Sequence, residues 1–89
     1  MRCLLMYDIP NDRARARVAD ACLDYGLERI QWSAFVGELN MTYQRELLLK
    51  IRTILAKKAA NVLLLPINAT MWEQHREIQQ GDPDAEREA

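Results

Sequence analysis

Between Cys3 and Ile9 the only charged residue is Asp8, and Pro10 follows directly. Proline cannot donate to a sheet ladder, so a strand over this apolar run has to stop there. With a period of two, Cys3, Leu5 and Tyr7 share one face, and Leu4, Met6 and Asp8 share the other. That second face is apolar until its last member. A strand of this kind is expected to be covered on both sides. The demand is severe for a chain of 89 residues, which has material for one domain and one modest core. Association that buries further apolar surface is therefore expected.

The rest of the chain alternates in period. Asn11 and Asp12 are good N-cap residues for a helix reaching about Tyr25, with Ala14, Val18, Cys22 and Tyr25 on one stripe and Gly26 placed to end it. Arg29 to Leu39 alternates again: Ile30, Trp32, Ala34 and Val36 point one way, and Gln31, Ser33 and Phe35 the other. This is either one bent strand or a hairpin broken near Gly37. Asn40 or Thr42 can cap a second helix to about Ala59, with Leu47, Leu48, Ile51, Ile54 and Leu55 inward and Lys50, Lys57 and Lys58 outward. Asn61 to Ile67 reads as a short buried strand. Residues 68–81, where Met71, Trp72 and Ile78 fit neither period, are expected to form a short edge strand or a turn of helix that packs on a partner. The order is β-α-β(β)-α-β, a ferredoxin-like α+β sandwich with an antiparallel sheet. Residues 1–81 make the single domain, and 82–89 an acidic, disordered tail.

Composition excludes several classes. No apolar run approaches the roughly 20 residues of a membrane helix and no basic-then-apolar leader opens the chain, so a cytoplasmic protein is expected. There is no glycine-rich phosphate loop. His75, the only histidine, is expected to be an exposed polar residue, which disfavours a serine triad. Cys3 and Cys22 form no CxxC pair and read as small buried hydrophobes. The net charge is −1, but residues 82–89 carry four acids against Arg87, a net of −3, so residues 1–81 carry +2. Arg13, Arg15, Arg17 and Arg29 make a local basic patch in the first third.

Asp8 is the residue on which chemistry can rest. It ends the first strand, where ligand sites of α/β sheets tend to sit, although sequence pattern alone favours its capping the turn before Pro10. One carboxylate is a poor Mg²⁺ site, since that ion wants octahedral oxygen ligation. A two-fold dimer with its axis near Asp8 supplies two. Arg13 and Arg17 either pair with Asp20 and Asp24 along the helix or contact phosphates. Phe35 either stacks on a base or enters a subunit interface, with the interface favoured.

Two blocks then resemble a known family. Tyr7-Asp8-Ile9-Pro10, an arginine-bearing helix, Asp24-Tyr25-Gly26-Leu27 and the run Arg29 to Leu39 are similar to the CRISPR-associated endoribonuclease family, the smaller of the two core CRISPR adaptation proteins. The resemblance spans roughly residues 1–67. It implies a ferredoxin-like homodimer with the two Asp8 carboxylates facing one another near a divalent metal, Mg²⁺ or Mn²⁺. It also implies that Tyr7, Asp8, Arg15, Arg17, Arg29 and Phe35 serve nuclease activity, with Asp8 as the metal ligand. The implied partners are single-stranded RNA or double-stranded DNA and the CRISPR-associated integrase, with which such a dimer takes part in spacer acquisition. The chain departs from the family after the last strand, where many members carry cysteines and this one reads Pro66-Ile67-Asn68-Ala69-Thr70-Met71-Trp72. Three functions follow as expectations: a metal-dependent endonuclease, a non-catalytic adaptor holding DNA and integrase, or a ferredoxin-like ligand-sensing module.

Overall fold

The computed structural model describes residues 1–83 and 85, so the expected tail lies mostly outside the described residues. The elements are β1 (Arg2–Asp8), α1 (Asp12–Asp24), β2 (Glu28–Gln31), β3 (Ala34–Glu38), α2 (Met41–Leu55), β4 (Asn61–Ile67) and a short α3 (Ala69–Glu73). The four strands form one antiparallel sheet in the order β2-β3-β1-β4, and α1 and α2 pack against each other over one of its faces. This is the expected ferredoxin-like arrangement.

Helices α1, α2 and α3 begin in the same way. Asn11, Asn40 and Asn68 accept hydrogen bonds from the backbone N–H groups of Ala14, Tyr43 and Met71 at 2.9, 2.8 and 2.7 Å. Each satisfies a donor that the first helical turn leaves unpaired. At the far end of α1, Gly26 takes a φ of 82°, and the amides of Gly26 and Leu27 donate to the carbonyls of Leu23 and Cys22. That pair of bonds is the Schellman stop, which glycine adopts without steric cost.

The core lies between the helices and the sheet. Cys3, Leu5 and Tyr7 of β1 and Phe35 of β3 meet Ala14, Val18, Ala21 and Cys22 of α1 and Leu47, Ile51 and Ile54 of α2. Both cysteines are free and buried, as expected. Phe35 is fully buried in this core, so it is neither a base platform nor an interface residue. Its alternation from Ala34 and Val36 is as read, but the face it shares is the one the helices cover. Gly37 lies on that face too, so close to Leu27 that an added Cβ would be 2.7 Å from Leu27 Cδ2 and 3.2 Å from its Cα.

Several expectations need correction. The hairpin turns at Trp32–Ser33, not near Gly37, and a bulge between Arg29 and Gln31 shifts the register there. Helix α2 stops at Leu55, where Ala56 takes a φ of 51°, so the lysines at 57 and 58 follow the helix instead of ending it. Leu48 is largely outside the core, and Gln44 takes an inward place, its side chain donating to the Leu39 carbonyl at 2.9 Å. β4 is an edge strand, with Leu63 and Leu65 48% and 44% exposed. β1 is accordingly covered on one face only: Leu4 and Met6 stand beside Leu65 and Leu63 on the face away from the helices. That apolar face is left uncovered by the chain's own helices.

Candidate functional site

Asp8 occupies the last position of β1, opposite Asn61 of β4, on the same face as Leu4 and Met6. Its side chain is exposed. It therefore closes one end of an apolar strip, while Arg2, opposite Glu38 and Ile67, closes the other. Among the described residues no three histidine, cysteine or acidic side chains gather closely enough to hold a metal ion. A protomer alone thus fails the test of a divalent-cation site, since it offers one carboxylate where the ion needs more oxygen ligands.

The turn after Asp8 is fixed from α1. Arg15 donates to the carbonyl of Ile9 at 2.9 Å and reaches that of Pro10 at 3.5 Å, and its other terminal nitrogen pairs with Asp12 at 2.6 Å. The planar guanidinium with several fixed donors suits three such acceptors, which an ammonium group does not match. Arg15 is thereby committed to the backbone beside Asp8.

Tyr7 points the opposite way from Asp8, into the helix side of the sheet. Its ring lies 6.2 Å from that of Phe35, and its buried hydroxyl finds no acceptor for its proton. Burial pushes the phenol pKa up, and the nearby Arg29 guanidinium acts against that shift. Arg29 lies over the rings of Phe35 and Trp32, 5.1 and 5.5 Å from their centroids. Tyr7, Arg15, Arg29 and Phe35 are thus brought together on one side of the sheet, and Asp8 is on the other. Arg17 joins neither group. It lines a shallow groove between α1 and α2 with Asp24 and Lys50. Neither Arg13 nor Arg17 forms an ion pair among the described residues, and Asp24 is met by Lys50 at 4.0 Å.

Sequence reasoning missed the cluster at the other end of the strip. The guanidinium of Arg2 lies 5.9 Å from the centroid of the Trp72 ring, and Trp72 stacks on His75 at 4.1 Å. Trp72 belongs to α3, which the weak periodicity of residues 68–81 concealed. The Asn68 cap was the available signal. His75 is exposed, as expected.

The comparisons with known proteins agree with this architecture. The family model described as CRISPR associated protein Cas2 matches residues 1–75. The chain is 53% identical over 85 residues, covering 96% of itself and all of its relative, to a protein of Chloroflexus aurantiacus named CRISPR-associated endoribonuclease Cas2 2. It is 34% identical over 68 residues to a protein of Thermoproteus tenax named CRISPR-associated endonuclease Cas1/endonuclease Cas2 fusion, matching 76% of this chain and 26% of that longer one. Among solved structures, a hypothetical protein TT1823 of Thermus thermophilus superposes with a TM-score of 0.76 at 26% identity, covering 91% of this chain and 93% of that one. Streptococcus pyogenes Cas2 superposes with a TM-score of 0.77 at 19% identity, over 89% and 100% of the two chains, a likeness of fold. With most of its length inside the family model and a relative matched end to end, this chain belongs to the Cas2 family of CRISPR-associated proteins.

Proposed function

We propose that the protein is a homodimeric, metal-dependent endonuclease of CRISPR adaptation, joined face to face through the uncovered side of its sheet. The single observation that carries this reading is the position of Asp8. It is an exposed carboxylate at the end of an apolar strip that the protomer's helices leave bare. Pairing that strip with its copy about a two-fold axis satisfies the apolar face of β1 and brings a second Asp8 to the first. Two carboxylates fit a hydrated Mg²⁺ or Mn²⁺ ion, which commonly keeps several waters and takes one or two acidic ligands. When bound, such an ion supplies Lewis-acid stabilisation of charge on a phosphodiester under attack. The chain's own part is to hold Asp8 in place, through the Arg15 fork on the following turn, and to exclude water along the strip.

The substrate is single-stranded RNA or double-stranded DNA in the cytoplasm, and the relatives named endoribonuclease support the first. The fused relative from Thermoproteus tenax supports partnership with the CRISPR integrase, Cas1, in spacer acquisition. A second reading, in which the dimer is a non-catalytic adaptor between DNA and integrase, is favoured by one observation. Of the basic patch of Arg13, Arg15, Arg17 and Arg29, Arg15 is spent on the backbone, Arg17 lies between the helices and Arg29 lies across the sheet. None of these three is thereby aimed at a phosphate beside Asp8.

Cleavage of labelled RNA and duplex DNA by purified protein, with Mg²⁺ and with chelator, separates the two. The endonuclease reading expects metal-dependent cutting that Asp8→Asn abolishes while the dimer persists in sedimentation. Cutting by Asp8→Asn at the wild-type rate, or a stable monomer at micromolar concentration, overturns it. Spacer acquisition that survives Asp8→Asn supports the adaptor.

A further inference from the structure

The helix side of β1 carries a pocket of about 250 Å³ that the Asp8 chemistry does not use. We propose that this pocket receives a single unstacked nucleobase, whose in-plane acceptor accepts a hydrogen bond from the Tyr7 hydroxyl. The inference rests on the reading that the protein acts on nucleic acid, and it specifies a single strand as the form recognised.

The need for an acceptor comes from Tyr7 itself. The residue is 6% exposed, and its hydroxyl proton meets no acceptor, Arg29 approaching the oxygen only as a donor. Arg29 is beside it, yet a guanidinium has only donors and cannot take the phenol proton. A buried donor left in this state is costly, of the order of the whole desolvation penalty of the group. A ligand atom with a lone pair in the pocket removes that cost.

The walls then select what carries the atom. Ala16 and Ala19 on α1 leave width between helix and sheet, and Trp32 offers an aromatic wall on the other side. Arg29, itself exposed, lies over the Phe35 and Trp32 rings and beside the phenol oxygen. Swung outward, it opens the hydroxyl and presents a planar cation to stack on the incoming ring. Asp12 and Asp20 also line the pocket. Asp12 is paired there with Arg15, which also lines the pocket, while Asp20 can accept from a ring N–H or an exocyclic amino group. Stacking of this kind is available only to a base that is not already stacked in a duplex.

The test compares wild type with Tyr7→Phe, which keeps the ring, deletes the unpaired donor and should fold at least as stably. Probes are a ten-residue oligouridylate, an RNA duplex of the same length, and uridine 5′-monophosphate, uracil carrying two carbonyl acceptors. Affinity is measured at fixed salt, alongside the indole N–H signal of Trp32 by NMR. The expected result is about fivefold to tenfold weaker binding of the oligouridylate by Tyr7→Phe with duplex affinity unchanged. The Trp32 signal should move with oligouridylate. Movement with the free mononucleotide as well assigns the site to the base alone, and movement with the oligomer only assigns it to a base within a strand. Equal oligouridylate affinity in both proteins, or a Trp32 signal unmoved by either probe, overturns the proposal. A merely structural tyrosine gives that null result. The comparison is one of binding without metal, so it stays readable if the protein cuts nothing.

Discussion

The Arg15 guanidinium donates at 2.9 Å to the carbonyl of Ile9, the residue that follows Asp8. An arginine that the family resemblance assigns to nuclease activity is here a brace for the turn carrying the acid. In the proposed reaction its effect is exerted through where Asp8 stands.

Arg15→Lys tests that brace. Lysine keeps the charge but cannot span two carbonyls and the Asp12 carboxylate at once. Nuclease rate should fall about tenfold to a hundredfold, the range that small misplacements of a reacting group produce. The slope of log affinity against log salt should stay as in wild type, because no phosphate contact is removed. A slope shallower by about one unit, with the cutting rate retained, would mean that Arg15 binds phosphate.

The bare strip makes a prediction about association. Leu63 and Leu65 are half exposed on β4 beside Met6 and Leu4. Leu65→Asp should abolish the dimer in sedimentation while leaving the helical circular-dichroism signal of the protomer. Wild type should show a melting temperature that rises with protein concentration, as expected when folding and association are linked. A melting temperature independent of concentration in wild type excludes this strip as the interface.

Gly37→Ala should destabilise the fold by about 1–3 kcal/mol, as overpacked positions do. The flexible Cδ2 of Leu27 can yield, but its Cα, 3.2 Å from the added Cβ, is part of the chain. Pairing Gly37→Ala with Leu27→Ala relieves only the side-chain clash, so chemical denaturation should show partial and not full recovery of the interaction energy.

Burial pushes the Cys22 thiol up from 9.0 to about 12, and Cys3 and Tyr7 are raised in the same direction. A group with a raised folded pKa keeps its full stabilising share below the unfolded value and loses it as pH climbs to the folded one. Stability should therefore be flat through neutral pH with respect to Cys22 and fall between pH 9 and 12, by on the order of 1.4 kcal/mol per pH unit. Cys22→Ala is expected to be less stable at neutral pH but to show a shallower alkaline limb. A thiol reagent that labels Cys22 in the native protein at pH 8 would contradict this burial.

Much of the fold was legible because its signals are local. The Asn11 and Asn40 caps, the Gly26 stop and the apolar runs of β1 and β4 depend on neighbours within a turn or a strand. What could not be read from residues 61–67 is their place in the sheet. An apolar strand at the edge of a sheet and one at its centre have the same composition when, as in the proposed dimer, a second copy covers the first. Phe35 was misread for a related reason: a face is polar or apolar only relative to the layer placed on it, and α1 and α2 are distant in sequence. The site was partly legible. Asp8 stood out by being the sole charge in its run. That Tyr7 beside it faces the other way follows from the period of two, but the grouping of Tyr7 with Arg15, Arg29 and Phe35 needed the helix and hairpin to be placed.

Pro66 lies in β4, opposite Cys3, at the outer rim of the sheet. A proline is tolerated in such a strand when the missing N–H would have faced away from its neighbour. The free rim therefore has a gap in its row of donors near one end. Any strand added there can zip along Asn61 to Leu65 but must let go at position 66, which limits growth of the sheet into open-ended fibres while leaving a short, directional seam.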